Sequence, residues 1–444
     1  MKSMGKFTRL IGAAVILCVI GTGIWLFLTY FEGKEPRISA AGIHPFLGLH
    51  SDISVDVSDA GRGLRTVTIV ISQGGTDHVL QALAFPRQGV YHESVRLPVE
   101  PRAHDLKDGT ATLTVTAVDY SFRKNESRET IPVTIDTEAP RIMPVTSSHY
   151  INRGGTCIAI YRLSEDVVST GVKVNDRHFR GYPVTINDRS CYICYFAYPL
   201  TDEVKGATIS IDAADAAGNS SSEFIPFHIR NKKFRADDMR ISTSFLKRKM
   251  PEFQERFNLQ GDYLETFNYV NSTMRAENLE RIRELCSNPE PQQLWEGTFV
   301  RMRNAATMAR FGDRRTYYLE GKQIGASIHM GVDLASTKNA AVAASNNGKV
   351  IYSDYLGIYG NTVILDHGLG LFSFYAHLTS FGVTRGQEIK KGDIIGRSGL
   401  SGLAGGDHLH FSMIVGDTLV NPVEWWDPHW IKDNVTRKMT LKTE

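Results

Sequence analysis

Three short stretches in the last third of the chain carry the residue types of a hydrolytic metal site. They read HMGVDLA from His329 to Ala335, FYAHL from Phe374 to Leu378, and GDHLHF from Gly406 to Phe411. As chemistry these are His-x-x-x-Asp, a solitary histidine and His-x-His, in an order that lets separate strands converge. A hydrolytic zinc ion takes three protein ligands from His, Cys or carboxylate and leaves one position for water. Each pattern alone is common, and a lone histidine is usually a core or surface residue. Yet four of the 14 histidines fall in these segments, beside small residues such as Gly331, Ala376, Gly405 and Gly406 that permit close backbone approach.

Other hydrolytic signatures are missing. His92-Glu93 lacks the second histidine of a His-Glu-x-x-His helix, and no Gly-x-Ser-x-Gly elbow occurs.

The stretch resembles the M23 family of zinc metallopeptidases, the lysostaphin and LytM type that cleaves peptidoglycan cross-links. The resemblance rests on HMGVDLA, YGNTVILDHGLGLFSFYAHL, VTRGQEIKKGDIIGRSG, HLHF and VNPVEWW, and spans about the last third of the chain. It implies His329, Asp333 and His410 as zinc ligands and His377 and His408 as the catalytic histidines. Many family members have proline before HLH where this chain has Asp407. A carboxylate there is expected to raise the pKa of His408.

Two neutral imidazoles and one carboxylate leave bound zinc a net positive charge, so it can activate water and polarise a scissile carbonyl. The implied activity is a zinc endopeptidase acting on peptide cross-links of peptidoglycan, a D,D-bond more than a glycyl-glycine one. The rival from another class is a non-catalytic LytM-type regulator that binds and activates a cell-wall amidase; that class shows gaps at the metal positions, and here all five are filled. The Lys-Gly-Asp hairpin near Lys391 also resembles lipoyl and biotinyl carrier turns, but the protruding-lysine motif is absent.

The elements that must position these residues read as mainly β. Around the motifs, apolar runs alternate with turn signals at Gly360, Asp366 and Lys391, and strands are expected from Gly297–Arg303 to near the end in a peptidase domain over 296–432. His367 falls in one such turn and reads as structural and solvated. Before it, 232–290 shows helical spacing (Phe253 and Phe257, Leu264 and Phe267, Leu279, Ile282 and Leu285), broken at Pro251, Gly261 and Pro289. This is a helical connector or lid, with Ser242, Thr243 or Ser244 as cap.

Upstream, period-two runs such as LRTVTIVIS and ATLTVTAVD predict half-buried strands. GTATLTVTAVDYS with IPVTI is echoed by GATISIDAADAAGN with IPFHI about one hundred residues later, across DTEAP. Two tandem β-sandwiches are expected over 36–135 and 137–231, resembling bacterial immunoglobulin-like spacers.

At the N-terminus, Lys2, Lys6 and Arg9 precede a run without charge from Leu10 to Phe31. A cytoplasmic tail (1–9), an uncleaved transmembrane helix (10–31) and an extracytoplasmic remainder are expected. An exported location allows a disulfide, for example from Cys157 to Cys191 or Cys194. The 444 residues permit several domains, and a net charge of +2 with pI near 8.2 gives no support for a nucleic-acid binder. The expected partners are peptidoglycan, the cytoplasmic membrane and cell-wall proteins.

Overall fold

The computed structural model describes residues 4–30 and 33–440. One helix covers Met4–Tyr30. The predicted membrane crossing is not supported: among the described residues no helix is long and apolar enough to cross a membrane. Side chains are described in this helix only over 11–27, all exposed. Phe31, the last residue of the predicted segment, lies outside the described residues.

The chain forms two compact units. In the first, a three-stranded sheet (Arg37–Gly42, Ser51–Ser58, His92–Val99) faces a five-stranded one that includes Leu64–Gln73, Gly109–Asp119 and Glu126–Ile135. The alternation predicted from LRTVTIVIS is present: Val67, Ile69 and Ile71 are buried against Val55, Val57, Leu113 and Val115 of the same core. Side chains two apart share a face, so these strands bury one side and wet the other.

The second unit holds residues 140–213 and 221–444. Its first part is again strand on strand, with Thr156–Leu163 between Arg189–Ala197 and Ile142–Pro144 in one sheet. These strands do not close a core of their own. Tyr195 packs with Trp295 and Trp425, whose rings meet each other and that of Phe299 at 5.3 to 5.6 Å, and the whole cluster runs on into the C-terminal sheet. Aromatic pairs of this kind each contribute ~0.5–1.5 kcal/mol beyond the area they bury. Glu424 adds a polar tie: its carboxylate accepts from Asn152 Nδ2 at 2.6 Å and from the Thr156 N–H at 2.8 Å. Burial pushes that carboxyl up to about 7, against the opposing pull of both hydrogen bonds.

Cys157, Cys191, Cys194 and Cys286 are all free and buried. Register explains the missing bridge: Cys157 lies opposite Phe196 and Cys194 opposite Ala159, so the thiols are offset along the ladder.

The expected helical segment comprises Thr243–Phe257, Tyr263–Tyr269 and Arg275–Leu285, the last two joined by a π turn. Of the three candidates, Ser242 is the cap, its hydroxyl accepting from Phe245 N. Asp262 and Glu265 form a capping box on the second helix. Pro251 does not break the first helix as expected; it sits inside it, where burial of Met250 and Phe253 outweighs the lost hydrogen bond.

The expected strand at Gly297–Arg303 does not form; the first strand of the C-terminal sheet is Ala306–Ala309. Phe299 is drawn into the aromatic cluster instead. Beyond it an antiparallel sheet runs Ala306–Ala309, Val332–Ala335, Leu409–Val415, Leu371–Leu378, Asn361–Asp366, Gly348–Tyr355 and Glu388–Ile389. His367 is structural but not solvated. Its ring is fully buried, with Nδ1 donating to Asn347 O at 2.6 Å and Nε2 against Ser373 Oγ at 2.7 Å.

Candidate metal centre

Three neighbouring strands bring the sequence motifs together. Asp333 on Val332–Ala335 lies directly opposite His410 on Leu409–Val415, and His410 lies opposite Ala376 on Leu371–Leu378. His329 follows the strand Lys322–Ile328, and His408 stands two residues before His410, on the same face by the period of a strand. His377 is the exception, because alternation from Ala376 would turn it away. The pairing with Asn361–Asp366 shifts register here, and His377 has a φ of 60°. That left-handed kink brings its ring to 4.8 Å from His408 and 5.9 Å from His410. Such strain in a residue that is not glycine persists where the surroundings enforce it.

The side chains of His329, Asp333 and His410 put one donor atom each within 4.8 Å of one another. His329 Nε2 is 2.9 Å from Asp333 Oδ1 and 3.0 Å from His410 Nδ1, which is itself 3.0 Å from Asp333 Oδ1. The outer hydrogen bonds fix the tautomers. His329 Nδ1 faces the carbonyl of Arg310 at 3.0 Å, which can only accept. Ser412 Oγ donates to Met330 O, so it accepts from His410 Nε2 at 3.1 Å. Both protons therefore sit on the outer nitrogens, and two lone pairs and a carboxylate oxygen face one point. Three acceptors converging this way call for a cation. Tetrahedral zinc with bonds of ~2.0–2.1 Å spaces its ligands ~3.3 Å apart, within a few tenths of an ångström of what is found. Gly331 makes this approach possible, since a Cβ there would lie 2.6 Å from the His410 ring.

All three groups are buried. Burial alone would push the Asp333 carboxyl up; when the facing imidazoles are protonated instead of metal-bound, the charge of His329 and hydrogen bonds from His329, His408 and His410 hold it well below the carboxylate range. Burial pushes His410 down to about 4, and burial followed by repulsion from His408 and His410 pushes His377 well down. His408 goes the other way. Burial lowers it, but Asp333, 3.5 Å from its Nε2, outweighs that and raises it. The expected rise is present and its expected source is not. Asp407 turns away, accepting from Ser398 Oγ at 2.6 Å and from the Asn339 N–H at 3.0 Å, and so braces the loop instead.

His408 Nδ1 is bound to Gly406 O at 2.7 Å and His377 Nδ1 to Ser401 O at 2.8 Å, leaving each Nε2 for other work. The site opens into a groove of about 640 Å³. The strand Ala236–Ile241 and the helix Thr243–Phe257 contribute to its lining through Arg240, Phe245 and Arg248, together with Met308 and Arg315. The helical segment thus supplies a wall of the groove.

Sequence reasoning missed Arg315, the Arg310 and Ser401 carbonyls, and Ser412. Only Ser412 carried a signal, since it lies two residues after His410 and so shares its face.

Residues 327–422 match Peptidase family M23. The DD-carboxypeptidase/endopeptidase Mpg of Neisseria meningitidis is 35% identical over 96 residues, which is 22% of this chain and 22% of that protein. The peptidoglycan DD-endopeptidase ShyA of Vibrio cholerae is 34% identical over 96 residues, again 22% of each. The murein hydrolase activator NlpD of Escherichia coli is 36% identical over 112 residues, 24% of this chain and 29% of that one. This chain thus spans about a quarter of the length of each of these relatives, and the stretch that matches the peptidase family M23 model, residues 327–422, carries all five histidine and aspartate residues of the candidate metal centre.

Proposed function

We propose that the chain is a zinc-dependent endopeptidase that hydrolyses peptide cross-links of peptidoglycan. The observation that carries this reading is the convergence of His329, Asp333 and His410 on one point, with His377 and His408 beside it, in an open groove. Zinc held by those three residues would supply Lewis-acid polarisation of the carbonyl and a water of lowered pKa.

The remaining work falls to the chain. His377 and His408, each with Nδ1 tied to a backbone carbonyl, present Nε2 to the groove. One accepts a proton from the attacking water and the other gives one to the leaving amine, and either can donate to the developing oxyanion. The groove walls orient an extended peptide across the site.

The substrate class is supported by likeness to relatives named as acting on peptidoglycan. A D,D-bond is the preferred target. The reading sets the peptidase on the extracytoplasmic side, where peptidoglycan lies, and takes the strand-rich N-terminal part as immunoglobulin-like spacers. A second reading, an amidase activator, is favoured by the likeness to NlpD. It predicts a protein that leaves peptidoglycan intact.

The test is incubation of the zinc-loaded chain with purified peptidoglycan and mass analysis of the fragments. New free amines at the cross-link are expected. An unchanged digest with zinc bound would reject the endopeptidase, and stimulation of an added amidase would then support the activator.

A further inference from the structure

The two oxygens of Asp333 live in different surroundings. Oδ1 faces His329 and His410 at 2.9 and 3.0 Å. Oδ2 accepts from Arg315 Nη2 at 3.1 Å. Arg315 stands on the strand Arg314–Leu319, held between Asp237 and Ser327 in its sheet. Its guanidinium borders the groove, and the two side chains are only 20% and 11% exposed. A carboxylate free to rotate can bind a metal through one oxygen or two. One whose second oxygen is held by a fixed guanidinium has only the first to offer, and arginine, always charged and rigid in its fork, suits that task.

We propose that Arg315 is a positioning residue of the metal centre: by holding Asp333 Oδ2 it restricts the carboxylate to one metal-facing oxygen. A coordination position is thereby kept open for water. The proposal rests on the reading that the three-residue site binds a divalent metal.

Cobalt(II) put in place of zinc reports the coordination number, because its visible absorption weakens several-fold as coordination rises from four to five or six. The full chain should show an intense four-coordinate band. Arg315→Gln should show a band several-fold weaker, and Arg314→Ala, altered at the exposed neighbour, should keep the parent spectrum. The unaltered chain supplies a second readout that does not depend on a variant folding. In a zinc-minus-apo infrared difference spectrum, one-oxygen ligation sets the two carboxylate stretches far apart, and two-oxygen ligation draws them together. An unchanged cobalt band in Arg315→Gln, or closely spaced stretches in the unaltered chain, would overturn the role of Arg315 while leaving the metal site intact. Failure of the unaltered chain to bind cobalt at all would overturn the metal site and this inference with it.

Discussion

Replacing Glu424 by glutamine should change how the stability of the second unit depends on pH. The carboxyl is 6% exposed and its pKa is raised from 4.5 to about 7, burial being the main cause. A raised carboxyl works against the folded state once the unfolded chain ionises. Below pH ~4.5 both states hold the proton and the group is neutral toward stability. Between there and about 7 the unfolded chain releases the proton while the folded one keeps it, so stability falls as pH rises and levels off above about 7. A gap of roughly two and a half pH units, at ~1.4 kcal/mol each, amounts to roughly 3–4 kcal/mol, most of it appearing between pH 5 and 8. Glutamine does not titrate, so the parent-minus-variant difference isolates this group from the histidines that titrate in both proteins. Glutamine also sets an amide N–H against one of the two donors, which lowers stability at every pH without adding a slope. The assay is urea unfolding followed by fluorescence, since four of the five tryptophans, Trp295, Trp425, Trp426 and Trp430, lie in this unit. A parent-minus-variant difference that stays flat from pH 5 to 8 would refute the argument.

The other expectations concern the site and the shared core. Replacing His329, Asp333 or His410 by alanine should abolish stoichiometric zinc, whereas His377→Ala and His408→Ala should keep zinc and lose ~10²–10⁴-fold in turnover; metal content and peptidoglycan release on all five variants decide this. If His408→Ala strips the metal and His410→Ala does not, the roles within His-x-His are exchanged. Gly331→Ala should weaken zinc binding with little loss of fold, because its Cβ would come within 2.6 Å of the His410 ring; a zinc titration matching the parent would count against the packing argument. Trp425→Ala should destabilise the second unit by ~3–5 kcal/mol in the same urea assay, since it removes the centre of a buried aromatic cluster.

What the sequence determined on its own is the local chemistry and the local periodicity. Histidine and aspartate types at short spacings announced a candidate metal site, because residues on one strand or at its ends keep their relation through any fold. Strand alternation in LRTVTIVIS and helical spacing around Phe253 and Phe267 were legible for the same reason, each being written within a few neighbouring residues. Tertiary structure alone decided the rest. The turn of His377 toward the metal face depends on a register shift against Asn361–Asp366, and the clamp of Arg315 on Asp333 joins residues from separate sheets. Phe299 left the expected strand, and Glu424 reached Asn152 and Thr156 from more than 260 positions away, because packing against partners distant in sequence outweighed local preference. Contacts of that kind fix which side chains share a burial site. Their energies arise between segments that no short window of sequence contains.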